Sequence, residues 1–201
     1  MLDLRQDRYV ALPPEWAACL TGLRTQTRES VCDEPRPESL LRAGVIEVST
    51  SDNLEPCSLR SGEMSLAGPK RQPKMIMVLS ATYSLFQTRR LLAAHSLDEV
   101  VCKFAREKMN KTRPAPSGDI DNLSMLATAF GRAEVMSTRH DRCLSRSFAL
   151  AFAAVQTGFP VDLVIGVRAR PFAAHCWVQW DGRIVNDEVE MIRAYTPILA
   201  V

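Results

Sequence analysis

Three segments in the C-terminal half of this chain decide its fold. They read D-R-C-L-S-R-S-F-A-L (141–150), V-D-L-V-I-G-V-R (161–168) and A-A-H-C-W-V-Q-W-D-G-R-I-V-N-D (173–187). A cysteine begins a helical pattern, a histidine lies in an apolar strand, and an aspartate follows at the end of the next strand. This order is typical of a cysteine nucleophile, its base and the residue that orients the base. The candidate catalytic residues are therefore Cys143, His175 and Asp187.

The first segment is predicted to be an amphipathic helix that begins near Cys143. Its apolar residues recur at helical spacing and form one stripe, which consists of Leu144, Phe148, Ala151 and Val155. Asp141 is the predicted N-cap, and Gly158 is predicted to end the helix. In the first turn, unpaired backbone N–H groups and the helix dipole favour the thiolate form of a cysteine. Three nearby side chains are expected to act in the same direction: His140, Arg142 and Arg146.

Two alternatives to this assignment rest on single residues. A lone cysteine that begins an amphipathic helix is most often a small buried side chain, and here the downstream histidine and aspartate favour catalysis instead. His140 lies close enough to Cys143 in sequence to be a rival base, although a polar surface or capping role is more usual for such a histidine.

The histidine lies in a predicted strand that ends just before an Asp-Gly turn. Alternation places His175, Trp177 and Gln179 on one face of this strand and Cys176 on the other. Cys176 is therefore predicted to pack in the core and not to act as the nucleophile. Trp177 and Gln179 are candidates for the second oxyanion donor, beside the backbone N–H at the start of the helix.

The loop of the following hairpin decides which face Asp187 occupies. A two-residue loop, Asp181-Gly182, would pair Trp180 with Arg183. Because side chains alternate along a strand, this register would set Asp187 opposite Cys176, on the face away from the histidine.

A three-residue loop that includes Trp180 would shift the register by one position. Gln179 would then pair with Arg183, and Asp187 would lie opposite His175. An acceptor beside the imidazole is needed to hold its tautomer. We therefore predict the three-residue loop, with Gly182 in a left-handed conformation.

Two motifs in this region resemble those of the lasso-peptide maturation proteases, the B proteins of lasso biosynthesis. They are V-I-G-V-R-x-x-P-F-x-x-H-x-W-V (164–178) and D-G-x-x-V-N-D (181–187). The resemblance extends from about Leu144 to Asp187 and departs from the family at Gln179, where H-x-W-V-E is common. The family's fold belongs to the transglutaminase-like branch of the papain-type cysteine enzymes.

The resemblance implies a function, a triad and two partners. Cys143, His175 and Asp187 would be the triad of a cysteine endopeptidase that removes the leader from a ribosomally made lasso precursor. The implied partners are that leader and an asparagine-synthetase-like lasso cyclase. No intrinsic cofactor is expected, and the ATP reported for maturation in the family is attributed to the partner.

Two other functions are compatible with the same residues. An acyltransferase of the transglutaminase or arylamine-acetyltransferase type would use the same triad, because hydrolysis and transfer differ only in what attacks the thioester. A non-catalytic peptide chaperone on this fold is the third alternative, and the presence of all three triad residues argues against it.

Residues 1–50 are predicted to form a small lobe that recognises the leader. A short hairpin over residues 1–12 and two short helices resemble the winged-helix domains related to the small chaperone of quinone-cofactor biosynthesis. In that family an exposed strand edge takes the leader as an added strand. The implied peptide-binding residues are Arg8, Tyr9, Val10, Ala11, Leu12 and Leu41. The alternative is a small α+β lobe that only packs on the catalytic domain.

The predicted fold class is α+β, with the winged-helix-like lobe followed by a papain- or transglutaminase-like cysteine peptidase domain. Residues 51–74 have no periodicity and are predicted to be a linker. The peptidase domain, residues 75–201, is predicted to place helices before an antiparallel sheet. A capping box is predicted from Ser96 to Glu99. The first helix is predicted to bury its apolar residues, namely Met75, Val78, Leu79, Tyr83 and Phe86.

The composition predicts a cytoplasmic globular protein. The chain has 201 residues, a net charge of +2 and 46% hydrophobic residues, and this balance favours neither a nucleic-acid nor a membrane partner. No apolar run is long enough for a spanning helix, and the N-terminus lacks a signal-peptide pattern. The 6 cysteines are scattered without C-x-x-C pairs, so we expect free thiols and no zinc site.

Overall fold

The structure, a computed structural model, describes most of the chain from residue 72 onward and single residues or short runs before it. The described residues are 2–3, 8–9, 11, 13–14, 16, 42, 62, 64–66, 68, 72–111, 120–135 and 143–201. Contacts divide the chain into two compact units. The first consists of Met1–Asp3 and Arg8–Ser58, and the second of Leu4–Asp7 and Leu59–Val201.

The first unit contains the predicted N-terminal hairpin. Strands β1 (Leu2–Asp3) and β2 (Arg8–Tyr9) pair antiparallel, with Leu2 opposite Tyr9. Tyr9 is 38% exposed, and Ala11 is exposed as well. The other predicted peptide-binding residues, Val10, Leu12 and Leu41, lie outside the described residues, as do most of the two short helices expected for this lobe.

The second unit contains the predicted helices. They are α1 (Met75–Ala94), α2 (Leu97–Lys111), α3 (Ile120–Val135) and α4 (Cys143–Gln156). The short helix α5 (Val189–Ile192), which was not predicted, also lies in this unit. The capping box is confirmed: the Glu99 N–H donates to Ser96 Oγ at 3.4 Å, and the Ser96 N–H donates to Glu99 Oε2 at 3.2 Å. None of the described helices is both long and apolar enough to cross a membrane.

A five-stranded sheet lies beside these helices. Its strands are β3 (Met64–Ser65), β4 (Asp162–Ala169), β5 (Phe172–Trp180), β6 (Arg183–Ile184) and β7 (Thr196–Ala200), in the spatial order β3-β6-β5-β4-β7. The α+β class is confirmed. The sheet is mixed, however, because β3 runs parallel to β6. Strand β3 also falls inside the segment predicted to be a linker, while the predicted domain boundaries themselves stay predictions.

Helix α4 is the centre of the core of this unit. It contacts α1, α2 and α3 as well as β5 and β4. Phe148 and Phe152 of α4 surround Phe104 of α2, whose ring meets that of Phe152 edge to face at 5.4 Å. Because α4 is covered by helices and by the sheet, nearly all of it from Ser145 to Val155 is buried, and not only the predicted single stripe.

The buried face of α1 differs from the prediction. Val78 is buried as expected, but its buried neighbours are Ala81, Leu85 and Thr88. The other apolar residues predicted to be core are exposed, with relative accessibilities of 73% for Met75, 59% for Leu79, 64% for Tyr83 and 55% for Phe86. Apolar residues lie on more than one side of α1, so periodicity could not identify the side that packs against α3 and α4.

Candidate active site

Helix α4 brings Cys143 to its first turn. The helix begins at Cys143 and ends at Gln156. Gly158 ends it as predicted, with a φ of 93°. The Gly158 N–H donates to Val155 O and the Phe159 N–H donates to Ala154 O, both at 3.0 Å, which is a Schellman motif. Two of the residues expected to assist the thiol, His140 and Arg142, lie outside the described residues, as does the predicted N-cap.

Strand β5 presents His175 on the predicted face. The rings of His175 and Trp177 lie 6.2 Å apart in a stacked arrangement, and the ring of Tyr195 lies 5.2 Å from that of His175. Gly166 is paired with His175 across β4 and β5. A Cβ atom at Gly166 would lie 2.8 Å from the Trp177 ring, so the glycine makes room for the indole that flanks the histidine.

The register of the β5–β6 hairpin was predicted wrongly. Trp180 pairs with Arg183 and Gln179 with Ile184, so the loop has only the two residues Asp181 and Gly182. Their φ angles are 46° and 75°, as in a type I′ turn. The left-handed Gly182 is confirmed. Asp-Gly is a preferred sequence for this turn, and local turn chemistry therefore fixed the register.

Asp187 nevertheless reaches His175, the candidate base. Its Oδ2 atom lies 2.6 Å from His175 Nε2. Strand β6 ends at Ile184, and Asp187 follows in a bend, where strand alternation no longer applies. The expected contact is thus present, although the expected register is not.

The charges at this site favour an ion pair of thiolate and imidazolium. Burial raises the pKa of the Cys143 thiol, but a hydrogen bond to His175, backbone N–H groups of Cys176 and Leu144, and the charge of His175 together lower it below its ordinary value. Hydrogen bonds to Asp187 and to Cys143 raise the pKa of His175 to about 9. Since Nε2 of His175 meets Asp187, Nδ1 is the nitrogen left for the thiol.

The carboxylate of Asp187 is held in its ionised form. Burial raises its pKa, but the hydrogen bond to His175, the Glu188 backbone N–H and the charges of His175 and Arg146 outweigh burial and lower the pKa. Arg146 Nη2 lies 3.4 Å from Asp187 Oδ2 and donates to Asn186 O at 3.1 Å, while its Nη1 donates to Glu134 Oε2 at 2.8 Å. Arg146 was expected to favour the thiolate of Cys143. Its charge instead lowers the pKa of Asp187.

The side chains proposed as oxyanion donors are used elsewhere. The Trp177 indole N–H, which is the only side-chain donor of a tryptophan, donates to Gln179 Oε1 at 3.4 Å. Trp177 is 2% exposed and Gln179 is 1% exposed. Neither side chain is accessible to a substrate carbonyl from this position. The backbone N–H groups that contact the Cys143 thiol are those of Leu144, at the start of α4, and Cys176.

Cys176 lies on the opposite face of β5 from His175, as predicted. It is 1% exposed, and burial raises the pKa of its thiol far above its ordinary value. A thiol held neutral in the core is a poor nucleophile, so Cys143 is the candidate nucleophile of the two.

Two polar residues beside the site were missed by the sequence analysis. Asn186 and Ser147 form hydrogen bonds that join β5, β6 and α4. The signal was the asparagine directly before Asp187, within the D-G-x-x-V-N-D motif. Among the described residues, no group of three or more His, Cys, Asp or Glu side chains could hold a metal ion.

The site is separate from a cavity of the same unit. That cavity, of about 670 Å³, lies between α1, α2 and α4 and is lined by residues such as Ser84, Lys103 and Gln156. It includes neither the cysteine nor the histidine of the site.

Cys143, His175 and Asp187 all lie in a region that is similar to a known family. The model of a family described as the Transglutaminase-like superfamily matches residues 85–200. A stretch of 49 residues is 41% identical to the Microcin J25-processing protein McjB of Escherichia coli and covers 24% of this chain and 24% of that protein. The chain thus matches about a quarter of the length of this curated relative. No solved structure matches the chain.

Proposed function

Since the chain belongs to the Transglutaminase-like superfamily, we propose that it is a cysteine endopeptidase that removes the leader from a lasso-peptide precursor. The observation that supports this most is the contact of one thiol, one imidazole and one carboxylate at the start of a buried helix. The lowered pKa of Cys143 and the raised pKa of His175 favour a reactive thiolate at neutral pH.

The proposed reaction follows from these positions. Cys143 Sγ attacks the scissile carbonyl, and His175 gives its proton to the leaving amine. His175 then takes a proton from water, which attacks the thioester and releases the acid. Asp187 holds the ring through Nε2, so that Nδ1 stays directed at the sulfur and the substrate.

The substrate class is proposed from similarity. The relative is a processing protein for microcin J25, and the motifs over 164–187 resemble those of the lasso maturation proteases. A ribosomally made precursor and an asparagine-synthetase-like cyclase are therefore the proposed partners, and strand β2, where the Tyr9 side chain is exposed, is the proposed place for the leader.

Mass spectrometry of the purified protein with a lasso precursor tests the proposal. We expect two fragments that together gain one water, and none with the Cys143→Ala variant. A Tyr9→Ala variant should bind leader more weakly but retain a reactive Cys143. If the native protein leaves every precursor intact in the presence of its cyclase, the proposal is wrong.

The same experiment separates hydrolysis from acyl transfer. With an added primary amine, a hydrolase should still give mainly the acid, whereas a transferase should give mainly the amide. A product mass that carries the amine in place of water, at modest amine concentration, would favour the acyltransferase alternative.

A further inference from the structure

We propose that Asn186 and Ser147 are positioning residues that hold the catalytic aspartate and the catalytic helix in place. The proposal rests on the proposed function in that Cys143, His175 and Asp187 are taken as the reacting groups. The hydrogen bonds of Asn186 and Ser147 involve three groups, and each group lies close in sequence to one of the reacting residues. Ser147 lies one turn after Cys143 on α4, the backbone carbonyl involved belongs to the residue after His175, and Asn186 directly precedes Asp187.

The first role of Asn186 is to end the β5–β6 ladder. The Val185 N–H donates to Val178 O at 2.9 Å, as expected for a hydrogen-bonded pair. The return bond from the Val178 N–H goes to Asn186 Oδ1, at 2.8 Å, and not to the carbonyl of Val185. The Asn186 side chain thus replaces the Val185 carbonyl as the acceptor of the Val178 N–H. The ladder ends there, and the chain bends away from β5.

This break brings the aspartate to the histidine. Continued pairing in the observed register would set Asp187 opposite Cys176, with its side chain on the face away from His175. Because the ladder stops before that point, the carboxylate is free to reach His175 Nε2 at 2.6 Å.

The second role is to join α4 to β5. Asn186 Nδ2 donates to Ser147 Oγ at 2.9 Å, and Ser147 Oγ donates to Cys176 O at 2.7 Å. In the hydrogen-bonded positions of an antiparallel strand, the N–H and the carbonyl of a residue point to the same edge. At the edge that β6 leaves open, the Cys176 carbonyl therefore meets Ser147, and its N–H meets the thiol of Cys143.

Only an amide of this length satisfies both roles. Asn186 must accept from Val178 and donate to Ser147, and a carboxylate could only accept. Ser147 is fully buried, so loss of Asn186 would remove the hydrogen bond that its hydroxyl oxygen accepts and leave only the bond that it donates to Cys176 O.

The reactivity of Cys143 tests the proposal without any peptide substrate. Full-length Asn186→Ala and Ser147→Ala variants are compared with native protein and with Asn110→Ala and Ser80→Ala, which change exposed residues away from the site. Iodoacetamide alkylation is followed across the titration of the thiol by peptide mass spectrometry. Exposed Cys102 serves as the reference in the same digest. Thermal unfolding establishes that each variant is folded.

We expect alkylation of Cys143 at low pH to fall by roughly 10- to 100-fold in both site variants, with the thiol titrating at higher pH. The control variants and Cys102 should not change. A role limited to stability would lower the unfolding temperature without moving this pH profile. Folded variants with the native profile would overturn the proposal, and Ser147→Ala decides the outcome if Asn186→Ala does not fold.

The outcome is independent of the proposed function. If the shift in alkylation is found but no lasso precursor is cleaved by native protein, the positioning roles stand and the peptidase assignment fails. If native protein cleaves the precursor and both folded variants have the native alkylation profile, the peptidase assignment stands and the positioning roles fail.

Discussion

His175 Nε2 and Asp187 Oδ2 lie 2.6 Å apart, although continued pairing of β6 with β5 in the observed register would direct the side chain of Asp187 to the other face of the sheet. The contact exists because the second strand stops after Ile184. The position of Asp187 in the candidate triad thus depends on where β6 ends. Substitutions can test the role of each residue at the site separately.

Asp187→Asn should slow peptide cleavage by about 10²- to 10⁴-fold, by analogy with the serine triad. The hydrogen bond to Asp187 is the largest cause of the raised pKa of His175, so that pKa should fall in the variant. The alkaline limb of the pH–rate profile, which follows loss of the imidazolium proton, should move to lower pH. Kinetics against pH measures both effects, while leader affinity should stay unchanged. An unmoved alkaline limb would contradict the assigned role.

Cys143→Ala should make folding stability fall as pH rises above about 6.5. Folded His175 keeps its proton up to its raised pKa, whereas the unfolded chain releases it near 6.5, so the folded state binds more protons in this interval. In native protein the lowered pKa of Cys143 has the opposite effect and offsets the loss. Without the thiol, His175 should titrate below about 9. Urea unfolding at a series of pH values measures the slope.

The control for this measurement is the double variant Cys143→Ala/Asp187→Asn. Removal of the carboxylate should bring the pKa of His175 closer to its unfolded value and reduce the slope. If the free energy of unfolding of Cys143→Ala rises with pH over this interval, the predicted direction of the pH dependence is wrong.

Cys143→Ala should abolish cleavage, whereas Cys176→Ala should cost only about 1 kcal/mol of stability. The thiol of Cys176 is buried on the face of β5 away from His175, and its pKa is raised. Its backbone, which bonds Ser147, is unchanged by the substitution. Cleavage assays and urea unfolding of both variants test this difference. Complete loss of activity in a well-folded Cys176→Ala protein would refute the choice of nucleophile.

Arg146→Gln should lower the free energy of unfolding by about 1–3 kcal/mol and reduce activity. Arg146 is 21% exposed and pairs with Glu134 and Asp187, which are 19% and 12% exposed. Its loss would leave two carboxylates close together and raise the pKa of Asp187. The matched control is Lys111→Gln, which breaks a more exposed pair with Glu107 at 3.5 Å and should cost below about 0.5 kcal/mol. Equal losses in urea unfolding would contradict the argument.

Much of the fold follows from local sequence. The apolar spacing after Cys143 and the Gly158 stop predicted α4, and the Ser96–Glu99 pair predicted the start of α2. Strand β5 forms where it was predicted, although it extends to Trp180, which was predicted to lie in the loop, and His175 lies on its predicted face. These features depend on residues near one another in the chain, so periodicity and capping chemistry are sufficient to identify them.

The two wrong predictions have different physical origins. The face that α1 buries depends on α3 and α4, which pack against it, and α1 itself has apolar residues on several sides. The hairpin register followed the preference of Asp181-Gly182 for a tight turn. The three-residue loop is wrong because it requires strand alternation to continue to Asp187, whereas β6 ends at Ile184.

By itself, the sequence determined which residues are candidates for catalysis, in which order they occur and on which elements they lie. Tertiary structure alone decided how the third candidate reaches the second. Asn186 bonds Val178 in the neighbouring strand and Ser147 in a helix far away in sequence, and these bonds end the strand and turn Asp187 toward His175. No local sequence pattern specifies these hydrogen bonds, because the partners of the Asn186 amide come within reach only when α4 packs against the sheet.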